Sequence, residues 1–262
     1  MTAFVQQTDE QWFNTLIGRD RAPIFGLPDA RTQRGTVGKD GEDALNDALM
    51  FWQFIRRIAA AEGKTITSSS KILDFGVSWA RILRFFLRDT PAQNLYGVDV
   101  EDRFLEHARR DVPSVNYSLI SPEPPLPFES NKFDIIYAFS VFSHLPQRIA
   151  DGWVTEFARV LKPDGIACLT TRPRAHLRTK TELYAKAIGN PAEAEARYDR
   201  GEFVFYPLHG GGDLAESHYG EAIIPRAYVE KEWSRHLTVR GFYENYSPSY
   251  LQPCFVLKKR AT

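Results

Sequence analysis

The chain has 262 residues, enough for one domain with insertions, and 43% are hydrophobic and 13% aromatic, enough for a sizeable core. Its 33 Lys and Arg residues balance 33 Asp and Glu, so no global field draws in DNA, RNA or an anionic membrane. No apolar run approaches the ~20 residues of a membrane span, and no leader-like segment opens the chain, so a soluble, cytoplasmic protein is expected. Cys168 and Cys254 lie in apolar, strand-like runs and read as buried thiols; with no His at ligand spacing they give no metal signature.

Residues 1–65 read as an N-terminal cap segment. A short helix is expected at residues 9–17, followed by turn-rich sequence with Gly26, Pro28, Gly35 and Gly38. Leu45, Leu49, Trp52, Ile55 and Ala59 then recur at helical spacing and predict a helix over 42–61 with one buried face. From 66 to 171 strands and helices alternate. Strands are expected at 71–75, 94–99, 115–118, 133–139 and 165–171, and helices at 80–88, 101–110 and 146–161. Alternation with short links predicts a doubly wound parallel sheet. The four prolines of Ser121-Pro-Glu-Pro-Pro-Leu-Pro-Phe128 make a stiff loop after the third strand. Residues 172–235 break the alternation and read as an insertion or substrate lid. Helices are expected there at 181–188, 190–200 and 228–236, with a turn at 209–213. Residues 236–262 supply two closing strands, 237–245 and 253–259. Trp12, Phe13, Phe203, Phe205 and Tyr206 offer an apolar contact surface; the oligomeric state is not legible.

Two strand ends carry chemistry. The first strand runs through Asp74 and Phe75 into Gly76, a strand–Gly–helix turn whose backbone N–H groups can meet a ligand closely. Asp99 ends the second strand, where an acid can accept both hydroxyls of a ribose. A nicotinamide dehydrogenase shares this start but needs Gly-x-Gly-x-x-Gly, which is absent. Further on come Leu126-Pro-Phe128 with Phe133-Asp-Ile-Ile136, then Ser140-Val-Phe-Ser-His-Leu145, then Val160-Leu-Lys-Pro-Asp-Gly165.

Over residues 71–171 these segments together resemble class I S-adenosylmethionine-dependent methyltransferases, in particular members that modify sugars, glycans or other secondary metabolites. The resemblance implies an α/β, Rossmann-like, doubly wound seven-stranded sheet with an antiparallel last strand, here with an N-terminal helical cap and an insertion after strand five. It implies S-adenosylmethionine as cofactor and S-adenosylhomocysteine as product. Asp74, Phe75, Gly76, Val77 and Ser78 match the loop near the methionine part. Asp99 matches the ribose-binding acid, with Val100 beside the adenine, and Glu123 falls where the adenine amine is met. Phe139 and Ser140 fall next to the cofactor sulfur. Arg34, in a Gly-flanked stretch, reads as a loop residue that could reach the cofactor carboxylate.

The family loop is Gly-x-Gly-x-Gly, whereas Ser78 and Ala80 replace its second and third glycines here. A non-Gly residue held at positive φ costs about 1–2 kcal/mol, and Trp79 between them could stack on a ligand or block it. Methyl transfer to oxygen also needs a proton acceptor. His144 is the candidate base, and His209, His218 and Tyr219 are candidate substrate contacts. The reading is methyl transfer to a small-molecule oxygen, of a sugar, glycan precursor or secondary metabolite. The alternative is a non-catalytic cofactor-binding or interaction protein disabled by the altered loop.

Overall fold

The computed structural model describes residues 6–19, 22–178, 182–210, 214–244 and 252–261. Nine strands in chain order are β1 (Ile72–Phe75), β2 (Leu95–Asp99), β3 (Asn116–Leu119), β4 (Phe133–Ala138), β5 (Leu161–Thr170), β6 (Val204–Pro207), β7 (Gly220–Ile223), β8 (Thr238–Tyr243) and β9 (Cys254–Lys258). Seven of them form one sheet in the order β3-β2-β1-β4-β5-β9-β8. Strands β1, β2 and β3 pair in parallel, and β9 runs antiparallel to both β5 and β8. This is the seven-stranded, Rossmann-like α/β sheet expected, with its antiparallel strand inserted beside β5. The strands at its centre are continuous apolar runs because both faces are covered; all four residues of β1 are buried.

The helices are α1 (Asp9–Ile17), α2 (Ala30–Val37), α3 (Gly41–Ala61), α4 (Asp102–Asp111), α5 (Gln147–Val160), α6 (Glu182–Ile188), α7 (Pro191–Asp199) and α8 (Arg226–Lys231). Helix α1 starts in a capping box between Thr8 and Gln11 and stops at Gly18 in the left-handed region. Helix α2 was expected as turn. Asp29 accepts from Thr32 N–H at its start and Gly38 closes it at φ 74°, so the caps set both ends of a polar eight-residue segment. The helix expected at 80–88 is instead a turn followed by a 3-10 helix, Leu83–Arg88. Ala80, at φ 58°, is out of the helical region and delays the start; its carbonyl then accepts both the backbone N–H and the side-chain Nε of Arg84.

The chain divides into two units. The first holds residues up to Ile120 with Phe133–Ile135, and the second holds Ser121–Lys132 and everything from Ile136 on. In the first unit Trp12, Trp52, Phe51, Phe54, Phe85 and Phe86 are fully buried or nearly so. Trp12 and Phe13 therefore belong to the core and not to a contact surface. In the second unit β6 and β7, both missed in the sequence, pair antiparallel from Val204↔Ile223 to Pro207↔Gly220. With Leu177, Ile188 and Ala194 they make a small core of their own, and Phe203 is also buried. The expected helix at 228–236 is α8 followed by a 3-10 turn at Trp233–Arg235. Residues 211–213 of the expected turn, and residue 245 of the first closing strand, lie outside the described residues. Both cysteines are buried thiols.

Candidate active site

In the first unit the chain leaves β1 through Phe75 into a loop that keeps a glycine-type backbone without the glycines. Gly76 has φ 82°, Ser78 φ 48° and Ala80 φ 58°. The N–H groups of Gly76 and Val77 both donate to the Val98 carbonyl at 2.9 Å, tying the turn to β2. Asp99, at the end of β2, accepts from Ser78 N–H at 2.8 Å through one oxygen and from Glu101 N–H at 3.1 Å through the other. The carboxylate thus clamps the residue whose left-handed conformation is unfavourable. Burial raises the Asp99 pKa, and the backbone donors of Ser78, Glu101 and Val100 only partly offset it. A carboxylate offers about four acceptor sites, so acceptor capacity remains for a ligand hydroxyl. Asp74 is buried at the end of β1, and Ser78 Oγ is buried without a hydrogen-bond partner.

Beneath the loop lies a second support. Trp79 is fully buried, and its indole N–H donates to Thr36 of α2 at 3.1 Å. Arg84 is fully buried as well and donates to the carbonyls of Ala80 (3.1 Å), Trp79 (3.2 Å) and Gly26 (2.9 Å). Burial lowers its pKa to about 10, leaving it charged at neutral pH. Arg34 is not a loop residue: it lies in α2 and pairs with Asp40. A cleft of about 600 Å³ opens beside α2 and α4, lined by Arg31, Thr32, Thr36, Arg103, Phe104 and His107, which suits a ligand of metabolite size.

In the second unit Phe139 and Ser140 follow β4. Ser140 also has positive φ, 59°, and three hydrogen bonds hold it. Its N–H donates to Thr170 Oγ1 at 2.7 Å, Gln252 Nε2 donates to its hydroxyl at 3.0 Å, and Thr170 Oγ1 donates to Gln252 Oε1 at 2.9 Å. Four residues on, His144 meets the start of β7. Its Nδ1 lies 2.8 Å from the Gly220 carbonyl and 3.2 Å from Glu221 Oε1. Its ring stacks on Tyr219 at 4.7 Å and 8°, and its Nε2 is 3.5 Å from Arg172 Nη2. A glycine is required at 220, because a Cβ there would run into the Tyr206 carbonyl and the Phe205 ring.

Glu221 is 2% exposed. Arg172 Nε donates to it at 2.9 Å, and His176 Nε2 lies 3.1 Å away. Burial pushes its carboxyl up, yet His144, His176 and Arg172 outweigh that and hold it well below the usual carboxylate range. Sequence reasoning missed Glu221, Arg172 and His176; they come from β7 and from the segment after β5, and no local motif marks them. The other candidates part company here. Tyr219 joins His144, whereas His218 is drawn to Glu123 at 3.3 Å and to Ser217 at 2.9 Å. Glu123 also holds Arg148 in a two-bond pair at 2.9 and 2.6 Å, which lowers its pKa. His209, 86% exposed, pairs with Glu216 on a solvated face.

Residues 72–165 match the family described as methyltransferase domain. These residues form a class I S-adenosylmethionine-dependent methyltransferase domain. The methyl donor is S-adenosylmethionine, and the chain is an enzyme of that type. Among solved structures, the methyltransferase is similar in fold to an S-adenosylmethionine-dependent methyltransferase from Clostridium acetobutylicum, at 11% identity and TM-score 0.56, with 81% of this chain and 92% of that one covered. A comparable protein from Listeria monocytogenes matches at 11% identity and TM-score 0.56, covering 82% and 98%. An amino pentose methyltransferase of calicheamicin biosynthesis from Micromonospora echinaspora matches at 15% identity and TM-score 0.55, covering 90% and 98%. No curated protein matches the sequence. No helix among the described residues of the methyltransferase is long and apolar enough to cross a membrane.

Proposed function

We propose that this methyltransferase methylates an oxygen of a small molecule, a sugar, glycan precursor or other secondary metabolite. The observation that carries the reading is His144. A carbonyl can only accept, so the contact with Gly220 puts a proton on Nδ1 and leaves Nε2 as an acceptor. An oxygen nucleophile needs such a group, and a nitrogen nucleophile that is already neutral does not. The likeness to an amino pentose methyltransferase agrees with a sugar-like acceptor.

The residues of the first unit fit the cofactor. Ser78 Oγ is a buried polar atom with no partner among the described residues, and Asp99 keeps acceptor capacity beside it. Asp99 would hold the ribose, Val100 would flank the adenine, and Asp74, Phe75, Gly76, Val77 and Ser78 would surround the methionine part. Glu123, Phe139 and Ser140 are assigned to the cofactor on the resemblance, although Glu123 already serves Arg148 and His218. Arg34 would have to leave Asp40 to reach the cofactor carboxylate. When bound, S-adenosylmethionine supplies an electrophilic methyl on a sulfonium and departs as a neutral thioether. The chain's part is to align the acceptor oxygen in line with that methyl and to take its proton.

A disabled loop would point to a non-catalytic protein instead, but Ser78 and Ala80 hold the positive φ that glycines would supply. Calorimetric titration with S-adenosylmethionine and S-adenosylhomocysteine tests the reading first, with micromolar binding expected. Methyl transfer to a panel of sugar nucleotides and phenolic metabolites then identifies the acceptor. No binding of either compound would overturn the reading.

A further inference from the structure

The Glu221 cluster goes beyond what a fold-stabilising ion pair needs. One nearly inaccessible carboxylate on β7 gathers two imidazoles and a guanidinium from two other segments: His144 after β4, and Arg172 and His176 after β5. Each segment already has its own anchor. The Gly220 N–H donates to the His144 carbonyl at 3.0 Å, the Ala222 N–H to the Ser143 carbonyl at 2.8 Å, and the Ile224 N–H to Thr171 Oγ1 at 3.3 Å. Backbone pairing thus joins β7 to the 143–144 turn, and side chains are not needed for that. A buried carboxylate is expensive unless its partners are close and well directed, and here two of the partners, His144 and Arg172, also lie 3.5 Å from each other.

The geometry points to Glu221 as a positioning residue: with the Gly220 carbonyl it fixes His144 as the Nδ1–H tautomer and presents Nε2 to the acceptor hydroxyl. This rests on the methyl transfer proposed above and assigns a residue to it that the family pattern does not supply. The groups facing the imidazole are Glu221 from β7, Tyr219 from the residue preceding it, and Arg172 from the end of β5, while His176 reaches it through Glu221. As the acceptor oxygen uses an electron pair to bond the transferred methyl, its proton moves to His144 Nε2. The resulting imidazolium lies 3.2 Å from the Glu221 carboxylate, which stabilises it, and later passes the proton to water. Arg172 Nη2 donates weakly to Nε2 at 3.5 Å, and the acceptor hydroxyl would take its place there, leaving the guanidinium beside the oxygen. The acceptor thus implied is a hydroxyl compound able to place its oxygen between an imidazole and a guanidinium.

Long-range nitrogen–proton correlation spectra of the ¹⁵N-histidine-labelled full chain test this without an acceptor, with His144→Gln identifying the resonance. In the wild type His144 is expected as the Nδ1–H tautomer with an unprotonated Nε2. In Glu221→Gln the Nδ1–H form is expected to lose its exclusive population, with an Nε2–H signal appearing beside it. A wild-type spectrum showing Nε2–H, or an unchanged tautomer ratio in a folded Glu221→Gln, would overturn the inference. An Nε2–H signal in the wild type overturns the inference even if the variant does not fold. Cofactor titration answers separately for the methyl-transfer reading, so the two can fail independently.

Discussion

Replacing Ser78 with glycine should raise stability and weaken cofactor binding at once. Ser78 pays twice in the unliganded protein: its φ of 48° lies in the left-handed region, and its hydroxyl is buried without a partner. Relief of the backbone conformation is worth about 1–2 kcal/mol, and removal of an unsatisfied buried hydroxyl about 1–2 kcal/mol. The freer unfolded chain of a glycine variant takes back about 0.4–1 kcal/mol. The net expectation is stabilisation by about 2 kcal/mol, a rise in Tm of roughly 4–8 °C for a chain of this size. If the hydroxyl is unpaired because a ligand completes it, the variant also loses one hydrogen bond to the cofactor. That is about 0.5–1.5 kcal/mol, or a Kd increase of roughly 2- to 10-fold. Thermal unfolding and calorimetric titration of the same preparations read the two effects. A Tm that falls would refute the strain argument, and a raised Tm with an unchanged Kd would remove Ser78 from the cofactor site.

Asp99→Ala should weaken S-adenosylmethionine binding by at least about 1 kcal/mol, the scale of a lost charge-assisted hydrogen bond; equal titration curves for a folded variant would take Asp99 out of the site. Acid should expose Glu221. Its folded-state pKa is below the ordinary 4.5, so its contribution is complete above about pH 4.5 and is lost as pH falls from there. Glu221→Gln should flatten the fall of unfolding free energy in that window, measured by denaturant titration at several pH values. Asp151→Ala should destabilise by about 2–3 kcal/mol: Asp151 accepts from Tyr228 Oη at 2.9 and 2.7 Å and from Trp233 Nε1 at 2.7 Å, and both donors would be left unpaired. Chemical denaturation measures it, and a change within about 0.5 kcal/mol would mean that water replaces the carboxylate.

Strands β1, β2, β4 and β5 were legible because buried parallel strands are unbroken apolar runs, and their ends carried Gly76, Asp99 and Ser140 with them. Helix α2 was hidden by its polarity and by Gly35 within it, although Asp29 before it and Gly38 after it are the caps that mark a helix of that length. Strands β6 and β7 are four residues each and have no strand identity until they pair with each other. The turn before the 3-10 helix at Leu83–Arg88 depends on the positive φ of Ala80, which periodicity does not encode. His144 could be singled out as a titratable group just past β4. Glu221 could not, because its only claim is a contact that the β6–β7 pairing creates.

Arg84 binds Gly26, which lies before two helices, as firmly as it binds the turn after β1. A fragment begun at the first strand would keep β1, β2 and β3 in full. It would nevertheless leave a sealed-in cation short of an acceptor and Trp79 without Thr36. The boundary of the family match at residue 72 therefore marks where sequence likeness starts, and the shortest piece of this chain able to close its own cofactor loop begins well upstream, before Gly26.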